Sequence, residues 1–166
     1  MTIKAVAMDV DGVLTDGTVL LDEAGRESKR ISFADIMGIS MGRRAGLHFA
    51  LVSGEGGPVL DAIAAKVGVN EVYPGCKDKA AAVRDFAERH DVALAEVCFI
   101  GDDVNDVGAL EICGLAVAPA SAQQVATARA SLVTARPGGG GAVREVIDTL
   151  LEGGHPDPRA LGHPAA

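Results

Sequence analysis

The fold of this chain is decided by its residues 3–12, Ile3-Lys4-Ala5-Val6-Ala7-Met8-Asp9-Val10-Asp11-Gly12. The run is mostly apolar, and it ends in two carboxylates and a glycine. A short apolar run predicts a strand that is buried on both faces, and the glycine predicts a turn where that strand ends. The pattern therefore places Asp9 and Asp11 together at the carboxyl end of a buried strand.

Two later apolar runs end in a similar way. Residues 47–52 are followed by Ser53-Gly54, and residues 97–100 are followed by Gly101-Asp102-Asp103. Open α/β sheets bind their ligands outside the carboxyl ends of the strands. We therefore expect these polar residues to form one site together with the first two carboxylates.

Apolar runs alternate with helical patterns along the rest of the chain. The predicted strands are residues 3–8, 47–52, 69–73, 97–100, 115–118 and 132–134. The predicted helices are residues 35–45, with Asp35 as a possible N-cap, 58–67, 78–90, 105–113, 122–129 and 141–151. This alternation predicts an α/β fold, a Rossmann-like parallel sheet with helices on both faces.

A single β-hairpin interrupts the alternation. Residues 18–21 and 28–33 flank a turn that contains Gly25, which is the pattern of two antiparallel strands. We predict one domain over residues 1–152, with the hairpin at residues 18–33. Residues 153–166 are rich in Gly, Pro and His and lack periodicity, so we expect a flexible tail there.

The composition argues against several classes of function. The chain has 166 residues and a formal net charge of −8 without a basic stripe, which disfavours nucleic acid or an anionic membrane as a partner. No apolar run approaches the roughly 20 residues of a membrane span. The first residues lack the features of a signal peptide, so we expect a cytoplasmic protein. The three cysteines show no metal-binding spacing.

The acidic residues suggest chemistry on phosphate. A carboxylate such as Asp9 can attack phosphorus, and a second such as Asp11 can exchange protons with the leaving group and with water, although an isolated pair is equally typical of a solvated turn. Asp102, Asp103 and Asp106 offer hard oxygen ligands that suit Mg²⁺, while helix capping would explain only one of them. A bound cation would also explain how an acidic protein could bind a phosphate ester.

Two further segments could bind phosphate at the same edge. The Ser53 hydroxyl and nearby backbone N–H groups, including that of Gly54, could hold phosphate oxygens, and Lys79 could screen the nucleophile and bind the transferred group. Each signal is weak by itself, because a serine–glycine pair is often a structural turn and a lysine is often a surface charge.

Together these segments resemble the four motifs of the haloacid dehalogenase superfamily, in order and spacing, over about residues 3–151. The matching segments are Asp9-Val-Asp-Gly-Val-Leu-Thr-Asp-Gly17, Ser53-Gly54, Lys79 and Gly101-Asp-Asp-Val-Asn-Asp106. The resemblance implies that Asp9 is the nucleophile and that Asp11 is the general acid and base. It implies phosphate binding by Ser53, Gly54 and Lys79. It also implies a Mg²⁺ site made by Asp9, the Asp11 carbonyl and Asp102, supported by Asp103 and Asp106.

The same resemblance has consequences for the architecture. Superfamily members usually carry a cap domain inserted after the first or second motif, but neither the stretch from Asp9 to Ser53 nor the stretch from Ser53 to Lys79 has room for one. We therefore expect a capless protein with a protruding hairpin. Small capless members close the active site by forming oligomers, so we expect a homotetramer whose hairpins cap neighbouring active sites.

Within the superfamily the chain is most similar to the 3-deoxy-D-manno-octulosonate 8-phosphate phosphatase group. The segment Ile31-Ser-Phe-Ala-Asp-Ile-Met-Gly-Ile39 resembles the part of that group that holds the substrate, which implies substrate binding by Ser32, Asp35 and Gly38. The run Gly138-Gly-Gly-Gly-Ala-Val-Arg-Glu-Val146 resembles the group's Gly-rich turn into the last helix.

Three residues depart from the pattern of that group. Ile36 stands where the octulosonate enzymes usually have Gly. Gly140 stands where they often have Arg. Glu55 follows Ser53-Gly54, where those enzymes usually have an Arg that suits a substrate carboxylate. Glu55 suits hydroxyls or an amine instead. The expected substrate is therefore an eight-carbon or a nine-carbon sialic-type keto-deoxy acid phosphate, from lipopolysaccharide or sialic acid biosynthesis.

Two other classes of function compete with a phosphatase. The chain could be a phosphatase-like assembly module that partners a nucleotide-sugar (CMP-sugar) synthetase, but such a module has no need to keep the complete acidic set. It could also be a phosphoacceptor switch protein, but those proteins place the acceptor on a later strand. The acidic set therefore favours the enzyme.

Overall fold

The computed structural model describes residues 2–152, so the predicted tail at residues 153–166 lies outside the described residues. The strands are β1 (Ala5–Met8), β2 (Leu20–Leu21), β3 (Glu27–Ser28), β4 (His48–Val52), β5 (Glu71–Tyr73), β6 (Val97–Ile100), β7 (Leu115–Ala118) and β8 (Leu132–Val133). The helices are α1 (Phe33–Arg44), α2 (Pro58–Val67), α3 (Lys79–Arg89), α4 (Val107–Ile112), α5 (Gln124–Thr127) and α6 (Ala142–Leu151). No helix within these residues is both long and apolar enough to span a membrane.

Six of the strands form one parallel sheet in the order β5-β4-β1-β6-β7-β8, which confirms the predicted fold class. β1 is central, and it pairs with β4 on one side and with β6 on the other. In this register Met8 lies beside Leu51 and Ile100. The residues that follow β1, β4 and β6 therefore emerge side by side at the same edge of the sheet.

Apolar packing covers both faces of the sheet, as the unbroken apolar strands predict. Along β1, Val6 and Met8 point to a core that also contains residues of α1, α2 and α6. Ala5 and Ala7 point to a second core, which contains residues of α3, α4 and α5. The three central strands are completely buried apart from the first residue of β4, so the sheet is a rigid support for the residues at its edge.

The hairpin formed by β2 and β3 lies outside this sheet and completes the predicted architecture. Its paired strands are only two residues long each, shorter than predicted. Between Asp9 and Lys79 the chain forms only this hairpin, α1, β4, α2 and β5, so the described residues contain no inserted cap domain.

Three helix predictions differ from the structure by more than the one-residue differences seen at the ends of α3 and at the start of α6. The predicted N-cap of α1 is wrong, because Ser32 is the N-cap and its Oγ accepts a hydrogen bond from the Ala34 N–H. The segment predicted as a helix at residues 105–113 starts as a 3₁₀ turn at residues 104–106, and only α4 is α-helical. The helix predicted at residues 122–129 is reduced to the four residues of α5.

Candidate active site

A pocket of about 240 Å³ lies at the carboxyl ends of β1, β4 and β6. It is lined by Asp9, Asp11, Gly17, Gly54, Glu55, Asp102, Asp103 and Asn105. The topology thus brings together polar residues that are nearly 100 positions apart in the sequence. Four of the lining side chains are aspartates, so the pocket is strongly acidic unless a cation is bound.

Asp9 continues β1 by one residue, since its N–H donates to the Ile100 carbonyl. The chain then turns tightly, because the Val10 carbonyl accepts hydrogen bonds from three successive N–H groups, those of residues 13–15. One Asp9 oxygen, Oδ1, accepts a hydrogen bond from the Val10 N–H at 2.7 Å. The other, Oδ2, lies 2.8 Å from Lys79 Nζ. The Asp9 carboxylate is therefore buried and held at both oxygens.

Lys79 is the first residue of α3, and it is almost completely buried, with 2% of its surface exposed. The helix is capped by Asp78, whose side chain accepts a hydrogen bond from the Ala81 N–H. Lys79 Nζ lies between Asp9 and Asp106, at 2.6 Å from Asp106 Oδ1. A charge this deeply buried needs partners, and here it has two.

Asp106 is completely buried, and both of its carboxylate oxygens accept hydrogen bonds from neighbouring groups. Its Oδ1 faces Lys79, and its Oδ2 accepts hydrogen bonds from the N–H groups of Asp102 and Asp103, at 2.8 and 3.2 Å. The carboxylate of Asp103 meanwhile accepts a bond from the Val104 N–H at 2.6 Å. Asp106 thus fixes the loop that carries the other two carboxylates.

Burial and the local charges shift the pKa values of these groups. Burial raises the pKa of Asp9 to about 6, with help from the Asp106 charge and against the opposing effect of Lys79. Burial and the carboxylates of Asp9, Asp106 and Asp103 raise the pKa of Asp102 to about 7. For Lys79, burial lowers the pKa, but the two carboxylates outweigh that effect and hold it above the ordinary value. The lysine is therefore charged, and the site still carries excess negative charge.

The donor set fits a divalent cation. Carboxylate oxygens of Asp9, Asp102 and Asp106 lie within 4.8 Å of one another. Hard oxygen ligands of this kind suit Mg²⁺. Asp9 and Asp102 line the pocket, whereas Asp106 lies behind it with both oxygens accepting hydrogen bonds, so Asp9 and Asp102 are the two carboxylates of this group that can face a cation in the pocket. A cation here would also relieve the mutual repulsion that raises their pKa values.

Asp11 lies at the rim of the pocket, and its partner was not foreseen from the sequence. Lys29, just after β3, places its Nζ 2.7 Å from Asp11 Oδ1 and 2.9 Å from Asp11 Oδ2. The Lys29 side chain is only 10% exposed, against 31% for Asp11. The hairpin therefore contributes a cation to the edge of the site.

The end of β4 supplies the residues predicted to bind phosphate. Gly54 lines the pocket, whereas Ser53 is buried behind it, and the Ser53 Oγ accepts a hydrogen bond from the Glu55 N–H at 3.1 Å. Glu55 is exposed and lines the pocket.

The structure does not bring Asp35, Gly38 and Ser32, which were expected to bind substrate, into the pocket. Asp35 is completely buried, and its carboxylate accepts hydrogen bonds from the N–H groups of Gly141 and Arg144 at the start of α6. A Cβ on Gly38 would lie 2.9 Å from the Arg144 Cα, so this glycine allows α1 and α6 to pack closely. Ser32 caps α1. In this chain Asp35 and Gly38 join two helices, and none of the three residues lines the pocket.

Two contributors to the site were not singled out from the sequence. Thr15 is buried, and its Oγ1 accepts hydrogen bonds from the N–H groups of Gly12 and Gly17. Lys29 contacts Asp11. Thr15 lies inside the first motif and could have been proposed from its position. Lys29 gave no local signal, because its role depends on how the hairpin folds back.

The chain is similar to known proteins both in sequence and in fold. Residues 55–147 match the family of haloacid dehalogenase-like hydrolases. The chain is 36% identical over 149 residues to the Escherichia coli 3-deoxy-D-manno-octulosonate 8-phosphate phosphatase KdsC, and the match covers 90% of this chain and 79% of that enzyme.

Two solved structures are similar over most of their length. One is a Moraxella catarrhalis 3-deoxy-D-manno-octulosonate 8-phosphate phosphatase in complex with a magnesium ion, a phosphate ion and a KDO molecule. It has a TM-score of 0.88 and 29% identity, covering 95% of this chain and 90% of that one. The other is the cobalt-bound form of the Haemophilus influenzae deoxy-D-mannose-octulosonate 8-phosphate phosphatase. It has a TM-score of 0.87 and 34% identity, covering 91% of this chain and 88% of that one.

Proposed function

The chain belongs to the haloacid dehalogenase-like hydrolase family and is a phosphoric monoester hydrolase, and we propose that it acts on a keto-deoxy sugar-acid phosphate. The candidates are 3-deoxy-D-manno-octulosonate 8-phosphate and a nine-carbon 2-keto-3-deoxy or sialic-type acid 9-phosphate. The observation that carries the proposal is the buried Asp9 carboxylate, which is held by Lys79 at the base of an acidic pocket.

Asp9 is the proposed nucleophile. One of its oxygens attacks phosphorus, the bond from phosphorus to the leaving oxygen breaks, and the phosphoryl group becomes an aspartyl-phosphate on Asp9. Lys79 supports this step because its ammonium stabilises the ionised form of Asp9 and the negative charge that the phosphoryl group brings. Ser53 and Gly54 are the proposed phosphate-binding residues at the end of β4.

Asp11 is the proposed general acid and base. It gives a proton to the leaving alkoxide in the first step. In the second step a water oxygen attacks the phosphorus of the intermediate and passes a proton to Asp11, which releases inorganic phosphate and regenerates Asp9. Asp11 lines the pocket together with Asp9 and its side chain is 31% exposed, which suits a group that must meet both the leaving alcohol and water.

Mg²⁺ is the proposed cofactor. Asp9, Asp102 and the backbone carbonyl of Asp11 would hold it, with Asp103 and Asp106 in support. When bound, the ion would supply positive charge for the phosphate oxygens in an otherwise acidic pocket. The magnesium ion and the cobalt named for the two similar structures support a divalent metal as the cofactor of this chain.

The choice of substrate rests on the relatives and on one departure from their expected pattern. The octulosonate enzymes among the relatives favour the eight-carbon acid and a place in lipopolysaccharide biosynthesis. Glu55, on the rim of the pocket, favours contact with hydroxyls or an amine of the leaving group rather than with its carboxylate. The nine-carbon acid therefore stays as the second candidate.

A homotetramer is the proposed assembly, with hairpins that cap neighbouring active sites. The hairpin carries a group of exposed apolar side chains, with Leu20 73% and Leu21 59% exposed. Val19 beside them is also exposed. An apolar patch on a two-stranded hairpin is costly to leave in water, which supports its burial against another subunit.

The test is phosphate release from a panel of substrates, each with Mg²⁺ and with a chelator. The panel contains 3-deoxy-D-manno-octulosonate 8-phosphate, nine-carbon keto-deoxy acid 9-phosphates and simple hexose phosphates. We expect Mg²⁺-dependent release with a strong preference for one keto-deoxy acid. No release from any of them by folded, metal-loaded protein would instead favour an assembly module that partners a nucleotide-sugar synthetase.

A further inference from the structure

Lys29 forms an ion pair with Asp11 at the active site, and the proposed mechanism gives this lysine no role. Its ammonium lies within 2.9 Å of both oxygens of the Asp11 carboxylate. The Lys29 side chain is nine-tenths buried, so this pair is not one of the exposed ion pairs that contribute little to stability or geometry. Such a contact restrains the position of the Asp11 carboxylate.

Asp11 lines two adjacent cavities. The first is the pocket above Asp9. The second is a groove of about 200 Å³, here named the hairpin groove, which is lined by Asp11, Gly17, Thr18, Val19, Glu27, Lys29 and Glu55. The two cavities share Asp11, Gly17 and Glu55. A substrate whose phosphate faces Asp9 would therefore extend its alcohol portion past Asp11 into the hairpin groove.

The charges around the groove explain what Lys29 counteracts. Three carboxylates line the groove, those of Asp11, Glu27 and Glu55, and Lys29 is the only cationic residue that lines it within residues 2–152. On its other side Asp11 faces the carboxylates of the metal site. Without a cation, repulsion would drive the Asp11 carboxylate outward toward water.

We propose that Lys29 is a positioning residue that holds the Asp11 carboxylate at the junction of the two cavities, where it faces the oxygen that joins the phosphate to its alcohol. This inference rests on the proposed role of Asp11 as the general acid and base. One Asp11 oxygen gives its proton to the leaving alkoxide and later receives a proton from water, while the other oxygen stays in contact with the Lys29 ammonium. The hairpin thereby takes part in the chemistry of its own subunit.

The test separates this role from a general effect on folding by varying the leaving group. An alkyl phosphate, such as the preferred sugar-acid phosphate, releases an alkoxide that needs a proton. p-Nitrophenyl phosphate releases a phenolate that is stable without one. The variants are Lys29→Met, which removes the charge, and Lys29→Arg, which keeps it. Lys4→Met is the control for the loss of a lysine charge, because Lys4 pairs with the Glu96 carboxylate at 2.7 Å at the opposite end of the sheet, away from the pocket.

For Lys29→Met we expect kcat/KM on the alkyl phosphate to fall by about 10- to 100-fold, the range expected when a proton-transfer group is misplaced. We expect kcat/KM on p-nitrophenyl phosphate to change by less than roughly threefold, because kcat/KM reports only the steps up to formation of the aspartyl-phosphate and a phenolate leaves without the acid. Lys29→Arg should recover much of the lost rate on the alkyl phosphate. Lys4→Met should match wild type on both substrates.

An equal loss on both substrates, or no loss on either, would overturn the positioning role. If thermal unfolding shows that Lys29→Met is not folded, Lys29→Gln is used in its place. The same ratio between the losses on the alkyl phosphate and on p-nitrophenyl phosphate is then expected. If the wild-type protein releases phosphate from neither substrate, the proposed function itself fails, and the role of Lys29 is refuted with it. Activity of the wild type together with an unchanged ratio in the variants refutes the role of Lys29 alone.

Discussion

Replacing Gly12 by alanine should displace the loop that carries Asp9 and Asp11 relative to the Asp102 carboxylate of the proposed metal site. Gly12 has a φ of +87°, which costs an L-residue about 1–2 kcal/mol. For a domain of this size, that cost lowers Tm by about 2–8 °C. A Cβ at this position would also overlap the Asp102 carboxyl group, lying 3.0 Å from even the more distant of its two oxygens.

The overlap allows the loss of activity to be estimated. To restore an ordinary contact, either the loop of Asp9 and Asp11 or the Asp102 side chain must move by more than roughly 1 Å, a displacement that costs about 100-fold in rate when it affects reacting groups. We therefore expect Gly12→Ala to lower kcat/KM by about 100-fold or more and to weaken Mg²⁺ binding.

Gly46→Ala is the matched control. Gly46 has a similar φ of +93°, but a Cβ there would meet nothing within 4 Å. It should show the same loss of Tm with nearly normal activity. Phosphate release, thermal unfolding and calorimetric titration with Mg²⁺ would be measured on both variants. If Gly12→Ala kept the activity and Mg²⁺ affinity of Gly46→Ala, the argument that Gly12 sets the position of Asp102 would be refuted.

Three further predictions concern the nucleophile, the metal site and the hairpin. Asp9→Asn should fold normally but lose turnover by on the order of 10⁴-fold or more, because an amide cannot form the acyl phosphate; phosphate release well above that level would contradict the role of Asp9. In the metal-free protein Asp9 and Asp102 keep their protons at pH values where the unfolded chain has lost them, with pKa values of about 6 and about 7 against an ordinary 3.8. The free energy of unfolding of the metal-free protein should therefore fall as pH rises from the ordinary pKa through the two raised values, and the stabilisation by Mg²⁺ should grow over the same range. A metal-free Tm that is higher at about pH 8 than at about pH 5 would argue against this. Glutamate at Leu20 and Leu21 should dissociate the proposed oligomer in light scattering, whereas Val125→Glu, at an exposed apolar residue of α5, should not; an unchanged mass in the hairpin variant would exclude its part in assembly.

Some elements were predicted with their exact bounds, for physical reasons that are local. The strands at residues 97–100 and 115–118 are completely buried, and a glycine stands directly beyond one end of each. The helix at residues 58–67 begins with Pro58 and ends before Gly68, which adopts a φ of +72° as the residue after a helix often does.

Other elements were missed because contacts from elsewhere in the fold decide them. The segment after Gly101 tightens into a 3₁₀ turn, and within that turn the Asp106 carboxylate binds the N–H groups of Asp102 and Asp103. Asp35 is of a residue type that often caps its own helix. Its carboxylate instead accepts hydrogen bonds from the N–H groups of Gly141 and Arg144 at the start of another helix, at sequence separations of 106 and 109. Residue type indicated that each of these carboxylates would bind N–H groups, but not which ones.

The sequence by itself determined the fold class, the central strands and the gathering of Asp9, Asp11, Gly54, Asp102 and Asp103 at one edge of the sheet. Apolar runs and the parallel arrangement that they favour are sufficient for that, since parallel strands bring their carboxyl ends together. The sequence also suggested Lys79 as a partner of Asp9, but only the tertiary structure decided the other partners of these charges. Lys79 contacts Asp106 across 27 positions and Lys29 contacts Asp11 across 18, and such pairs form because packing of the elements brings the side chains within hydrogen-bonding distance, which no local pattern encodes.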